Sequence, residues 1–184
     1  MDKKLKCLSG LKQFFVLFAR TSKAMMGLGK LPPDERISKQ LGEKISLTVS
    51  GVNECQYCSW LHTKTAIEKG LSTQEIEALL SAQFHNARAE ELTAILYAQH
   101  WADRNGNVAA ETREPVLAEY GPRQTSEIEA IIQAVYFGNL CSNTVVACRE
   151  AKTDRRERPV RLATYLFALP VAAVIRRKSG VKNA

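Results

Sequence analysis

Asn53-Glu54-Cys55-Gln56-Tyr57-Cys58-Ser59-Trp60-Leu61-His62 concentrates more chemistry than any other stretch of this chain. Read as the opening of a helix, it sets Cys55, Cys58 and His62 at i, i+3 and i+7, all on one face. Two thiols one turn apart are within reach of a disulfide, and the imidazole lies one turn below the second thiol. A helix N-terminus carries about +0.5 of an elementary charge, which favours thiolate over thiol. The segment therefore offers a nucleophile of lowered pKa, a second sulfur to trap its oxidised form, and a base. That is a redox site in outline.

The same residues have other readings. Structural zinc also uses Cys and His at short spacing, but it takes four ligands. The chain has no second CxxC and no paired HxxxH; its other cysteines are Cys7, Cys141 and Cys148, and its other histidines His85 and His100. Covalent haem attachment needs a His directly after the second Cys, where Ser59 stands. A thioredoxin-type site needs βαβ patterning around it, which is absent. A buried, inert pair of cysteines stays open, since free Cys packs as a small hydrophobe. No metal or cofactor is expected.

Working outward, Cys55-x-x-Cys58-x-x-x-His62 with Glu43 upstream resembles the carboxymuconolactone decarboxylase/AhpD-like family, in its alkylhydroperoxidase branch. The flanks agree in kind: Arg36 to Val49 is similar to the family's preceding helix, and His62-Thr63-Lys64 through Gly70-Leu71-Ser72 to its continuation. The resemblance covers about residues 30–105, extends more weakly to about 150 through Ala134–Asn139, and is not seen at either end. It implies an all-α, AhpD-like helical bundle of about seven to eight helices that assembles as a trimer or hexamer. It further implies that Glu43 faces the cysteine pair and holds His62, that Cys58 is the peroxidatic sulfur, and that Cys55 resolves it. From physics alone the choice of nucleophile is open, because Cys55 sits nearer the helix N-terminus. One departure stands out. The family's best-known sites carry a second histidine just before the second cysteine, and here that position is Tyr57. A phenol can donate a hydrogen bond but accepts a proton poorly at neutral pH. The decarboxylase branch lacks the cysteine pair, so lactone decarboxylation is not expected.

Composition sets the frame for these expectations. The chain has 184 residues, of which 45% are hydrophobic and 24% charged, enough for one domain with a proper core. Five cysteines form no dense framework, which suits a reducing, cytoplasmic compartment and a catalytic disulfide rather than a secreted scaffold. The net charge of +7 divides unevenly: residues 1–30 carry +6, residues 31–151 carry −6, and residues 152–184 carry +7. An acidic body has two basic ends. They suggest three regions: a basic amphipathic N-terminal helix (1–30), the helical domain (31–151, redox core about 34–105), and a basic, apolar C-terminal helical extension (152–184).

Along the chain, an amphipathic helix is expected over about Leu5–Lys23, kept in the mature protein for want of a cleavage site. Asp34 reads as the N-cap of a helix to about Ser50 with a single buried stripe, Ile37, Leu41, Ile45 and Thr48/Val49. By counting alone Glu43 falls off that stripe and would pair with Lys39 or Lys44 in solvent. The redox helix spans about 54–69 and ends at Gly70. Ser72-Thr73-Gln74-Glu75 is a capping box opening a short helix to Gln83. A further helix runs over Arg88–Asp103, with Trp101 and His100 read as packing and surface groups. Another occupies 108–120, restarting near Glu114-Pro115. Gly121-Pro122 reads as a firm break, and Thr125 or Ser126 as the cap of a long helix over 126–151 in which Cys141 and Cys148 are core residues. Leu162–Ile175 is fourteen residues without a charge, too short to span a bilayer, which takes about 20. It reads as a helix packed on the core or a neighbouring subunit. The sharper alternative is a peripheral membrane helix helped by the basic N-terminus. Nucleic acid ranks below both, for want of a binding motif.

Three functions follow from this sequence. The first is a thiol-dependent peroxidase taking hydroperoxides and a dithiol reductant, thioredoxin-like or lipoyl. The second is a disulfide reductase or relay. The third is a redox-sensing protein that docks through its basic ends on a membrane or partner.

Overall fold

The computed structural model describes residues 5–28, 32–84, 87–150 and 158–180. His85 and the basic run Arg155-Arg156-Glu157 lie outside them. Among the described residues the chain is all-helical: α1 (Leu11–Leu28), α2 (Lys39–Val52), α3 (Gln56–Glu68), α4 (Thr73–Leu80), α5 (Ala89–Asp103), α6 (Glu114–Glu150) and α7 (Arg158–Ser179). Short 3-10 turns occupy Pro33–Glu35 and Ala110–Arg113.

α2 is the hub, packed against α3, α4, α5 and α6. The expectation of a single buried stripe fails here, because every residue from Lys44 to Ser50 is buried. The polar members of that run are satisfied internally: Ser46 Oγ donates to Gly42 O at 2.7 Å and Thr48 Oγ1 to Lys44 O at 2.9 Å. The expected cap moves as well. Pro33–Glu35 turns as a 3-10 helix, and Ser38, in an extended conformation, caps α2 by accepting from Leu41 N at 3.0 Å. The intervening Ile37 N–H donates to Glu127 Oε2 on α6 at 2.8 Å.

α3 and α4 match their local signals. Gly70 follows α3 at φ +86°, and the Ser72/Glu75 capping box is fully formed. Where α2 passes α4 the backbones nearly touch: a Cβ on Gly51 would stand 2.9 Å from Leu80 Cα and overlap the Leu80 carbonyl. On α5, Trp101 packs edge-on to Tyr136 with ring centroids 5.1 Å apart, as a packing residue should.

The break expected at Gly121-Pro122 is present: α6 is two helices that meet there at a kink. Gly121 adopts φ 68° and ψ 174°, a conformation open to glycine, and Pro122 resumes the helix where a missing N–H costs little. Neither Thr125 nor Ser126 caps forward. Their hydroxyls donate back, Thr125 to Val116 O at 3.2 Å across the kink and Ser126 to Pro122 O at 2.8 Å within its own turn. α6 contains the one stretch among the described residues long and apolar enough to cross a membrane, and 61% of that stretch is buried inside the bundle. α1 both starts and ends later than expected, at Leu11 and Leu28. It lies on α6 through Phe14, whose ring is 5.4 Å from Phe137 and 5.7 Å from Phe167 of α7. α7 packs on α6, α3 and α1.

Candidate functional site

The loop between α2 and α3 hangs from the end of α2. Asn53 N–H donates to Val49 O, Glu54 N–H to Gly51 O and Cys55 N–H to Ser50 O, each at 3.1 Å. Glu54 turns the chain at φ 52°, and Cys55 becomes the N-cap residue of α3. Cys58 lies one turn in, with a Cα–Cα separation of 5.3 Å, and the two sulfurs are joined as a disulfide. Both residues are enclosed, Cys55 at 0% and Cys58 at 2% exposure.

α6 forms the floor beneath them with three polar side chains. Ser142 Oγ is 3.8 Å from Cys58 Sγ, Asn143 Nδ2 donates to Asn53 O at 2.8 Å, and Asn139 Nδ2 donates to Val49 O at 3.2 Å. These amides hold the loop by its carbonyls. Asn53 is itself 1% exposed, with neither side-chain polar atom partnered among the described residues.

Glu43 does not pair with Lys39 or Lys44. Its carboxylate reaches His62 Nδ1 at 2.9 Å and Lys69 Nζ at 2.5 Å, while Lys44 turns the other way to Glu91 at 2.6 Å. Burial by itself would raise the Glu43 carboxyl. The hydrogen bonds and charges of His62 and Lys69 outweigh it and hold the group below its ordinary 4.5. Glu43 is therefore a carboxylate at neutral pH and only accepts. That fixes the proton of a neutral His62 on Nδ1 and leaves the Nε2 lone pair as the base.

The structure thus brings Glu43 to His62 and Cys55 to Cys58. No hydrogen bond joins His62 to either sulfur among the described residues. Tyr57 faces elsewhere: its ring is half-buried under the Arg176 guanidinium of α7, 5.9 Å from the ring centroid. Cys141 sits fully buried in the core, its thiol pushed up to about 12 by burial, and Cys148 is half-buried. Among the described residues no group of three or more His, Cys, Asp and Glu side chains gathers as it would around a metal ion.

Lys69, Ser142, Asn143 and Arg176 were not anticipated. Lys69 had a signal, lying seven residues after His62 and so on the same helical face. The polar spacing Asn139, Ser142, Asn143 along α6 was a weaker one. Nothing in the sequence links Arg176 to Tyr57.

The profile of the Carboxymuconolactone decarboxylase family matches residues 13–103. That segment of the chain belongs to the family. The match begins inside α1, upstream of the resemblance read from the motif, and ends with α5. No curated protein and no solved structure matches the chain. Within the carboxymuconolactone decarboxylase family, the spacing of Cys55, Cys58 and His62 is that of the alkylhydroperoxidase motif. Fold, family and paired cysteines make this a thiol–disulfide redox site, one that needs a thiol-exchange partner to turn over.

Proposed function

We propose that the protein is a thiol-dependent peroxidase that reduces hydroperoxides through Cys58 and Cys55. The observation that carries this reading is the Glu43–His62 pair on a buried dithiol: a passive disulfide needs no oriented base. In the reduced protein, His62 Nε2 takes the Cys58 proton through a water. The thiolate attacks the terminal oxygen of R–O–O–H, forming S–O and breaking O–O. The departing alkoxide takes the proton from the imidazolium and leaves as alcohol, and Cys58 becomes a sulfenic acid. The Cys55 sulfur then attacks Cys58, expels water and forms the disulfide. An external dithiol, thioredoxin-like or lipoyl, restores both thiols.

A trimer or hexamer and a cytoplasmic location, where thiols are kept reduced between turnovers, go with the reading.

The test is peroxide consumption by reduced protein given an organic hydroperoxide and dithiothreitol, with intact mass read before and after. Turnover that dies in Cys58→Ser, with a two-hydrogen mass loss in the wild type, is the expected result. Disulfide formation without turnover would remove the peroxidase.

A further inference from the structure

The outward faces of α1 and α7 form one surface. On α1, Phe15, Phe18 and Met26 recur at helical spacing and are 49%, 50% and 68% exposed. On α7, Leu162, Leu166 and Phe167 are 58%, 56% and 46% exposed. The two stripes meet where the Phe15 and Phe167 rings lie 5.2 Å apart at 67°, held from beneath by buried Phe14. Large apolar side chains gathered in this way on two adjacent helices need an explanation that single exposed residues do not.

Charge says what covers them. Neither α1 nor α7 contains an acidic residue. Lys12, Arg20 and Lys23 are exposed along α1, and Arg177 and Lys178 are exposed at the end of α7. These cations stand on helices without a carboxylate, whereas residues 31–151 carry −6. A two-fold pairing with a second copy would set cation against cation. Nucleic acid would engage the charge but leave the phenylalanines and leucines in water. An anionic bilayer satisfies both, with apolar side chains at the acyl boundary and ammonium and guanidinium groups among the headgroups.

We propose that the joined outer faces of α1 and α7 dock the protein on an anionic lipid bilayer. The surface is independent of the redox cycle, so docking stands or falls apart from the peroxidase reading.

The test is co-sedimentation of the full chain with phosphatidylcholine vesicles, with and without phosphatidylglycerol. The wild type should bind the anionic vesicles at least about tenfold better, and raising the salt should weaken that binding. Phe18→Asp and Leu166→Asp should each reduce binding about tenfold or more. Leu96→Asp, at a leucine on α5 that is 44% exposed, should leave it unchanged. Circular dichroism checks each fold, and Met26→Asp replaces either variant that loses helicity. Light scattering of the same proteins identifies the rival. Absent vesicle binding, or binding indifferent to the substitutions, overturns the proposal. A wild-type oligomer that Phe18→Asp splits to monomers, without lipid binding, reassigns the face to a second copy.

Discussion

Glu43 and Lys44 are neighbours on α2, yet they anchor two ion pairs of different character. On one side Glu43 meets His62 and Lys69 with its side chain 12% exposed. On the other, Lys44 meets Glu91 at 2.6 Å and Glu75 at 3.6 Å, with Lys44 and Glu91 side chains 7% and 9% exposed. The second pair joins an ammonium to carboxylates and has no proton to trade near neutral pH. Its strength lies in leaving no buried charge alone, which makes it a clamp between α2 and α5. The first ends in an imidazole whose second nitrogen makes no hydrogen bond among the described residues. One helix therefore supplies structure from one face and reactivity from the next, and burial alone does not distinguish them.

The largest effect that would test this contrast lies beyond both pairs. Cys58→Ser should abolish peroxide turnover while leaving the unfolding midpoint of the reduced protein nearly unchanged; surviving turnover through Cys55 would exchange the roles of the two sulfurs. Next comes Lys44→Met, which strands Glu91 and should cost about 3–5 kcal/mol in denaturant unfolding. Adding Glu91→Leu should recover much of that loss, and neither change should alter the rate per folded molecule. Glu43→Gln should do the reverse. It should lower the rate by about 10²-fold, because the amide no longer fixes the His62 tautomer, and lower stability far less. A rate unaffected by Glu43→Gln would reduce the first pair to a second clamp.

The smallest effect is a pH dependence. The native pairing holds Glu43 below its ordinary 4.5, so its contribution is fully present above that pH and is lost as pH falls through the depressed native value. The stability gap between wild type and Glu43→Gln should stay flat down to about 4.5 and close below it. A gap that widened in acid would mean that the carboxyl is protonated in the native state.

Much of this contrast could be read before the fold was known, and the part that could not has a physical reason. α3 and α4 follow from local chemistry: a cysteine motif, a glycine at positive φ, and a capping box whose atoms lie within four residues. Counting along α2 misplaced Glu43, because a helical wheel assumes one buried side and α2 is buried all round from Lys44 onward. The family resemblance put Glu43 against His62, where the structure has it. Ser142 lies 84 residues from Cys58, and no local rule spans that distance. The break in α6, by contrast, was legible in Gly121-Pro122. The amides of Asn139 and Asn143 reach Val49 and Asn53 across 90 residues, again beyond any local rule.

Gly51 touches none of the reacting groups, yet the loop that carries Cys55 hangs from the carbonyls of residues 49–51, and a side chain at 51 has no room beneath Leu80. The redox loop is thus mounted on a bearing whose clearance is smaller than a methyl group. A Gly51→Ala chain would keep both thiols, the imidazole and the carboxylate, and still present them out of alignment. Damage there would look chemical in an assay although its origin is mechanical.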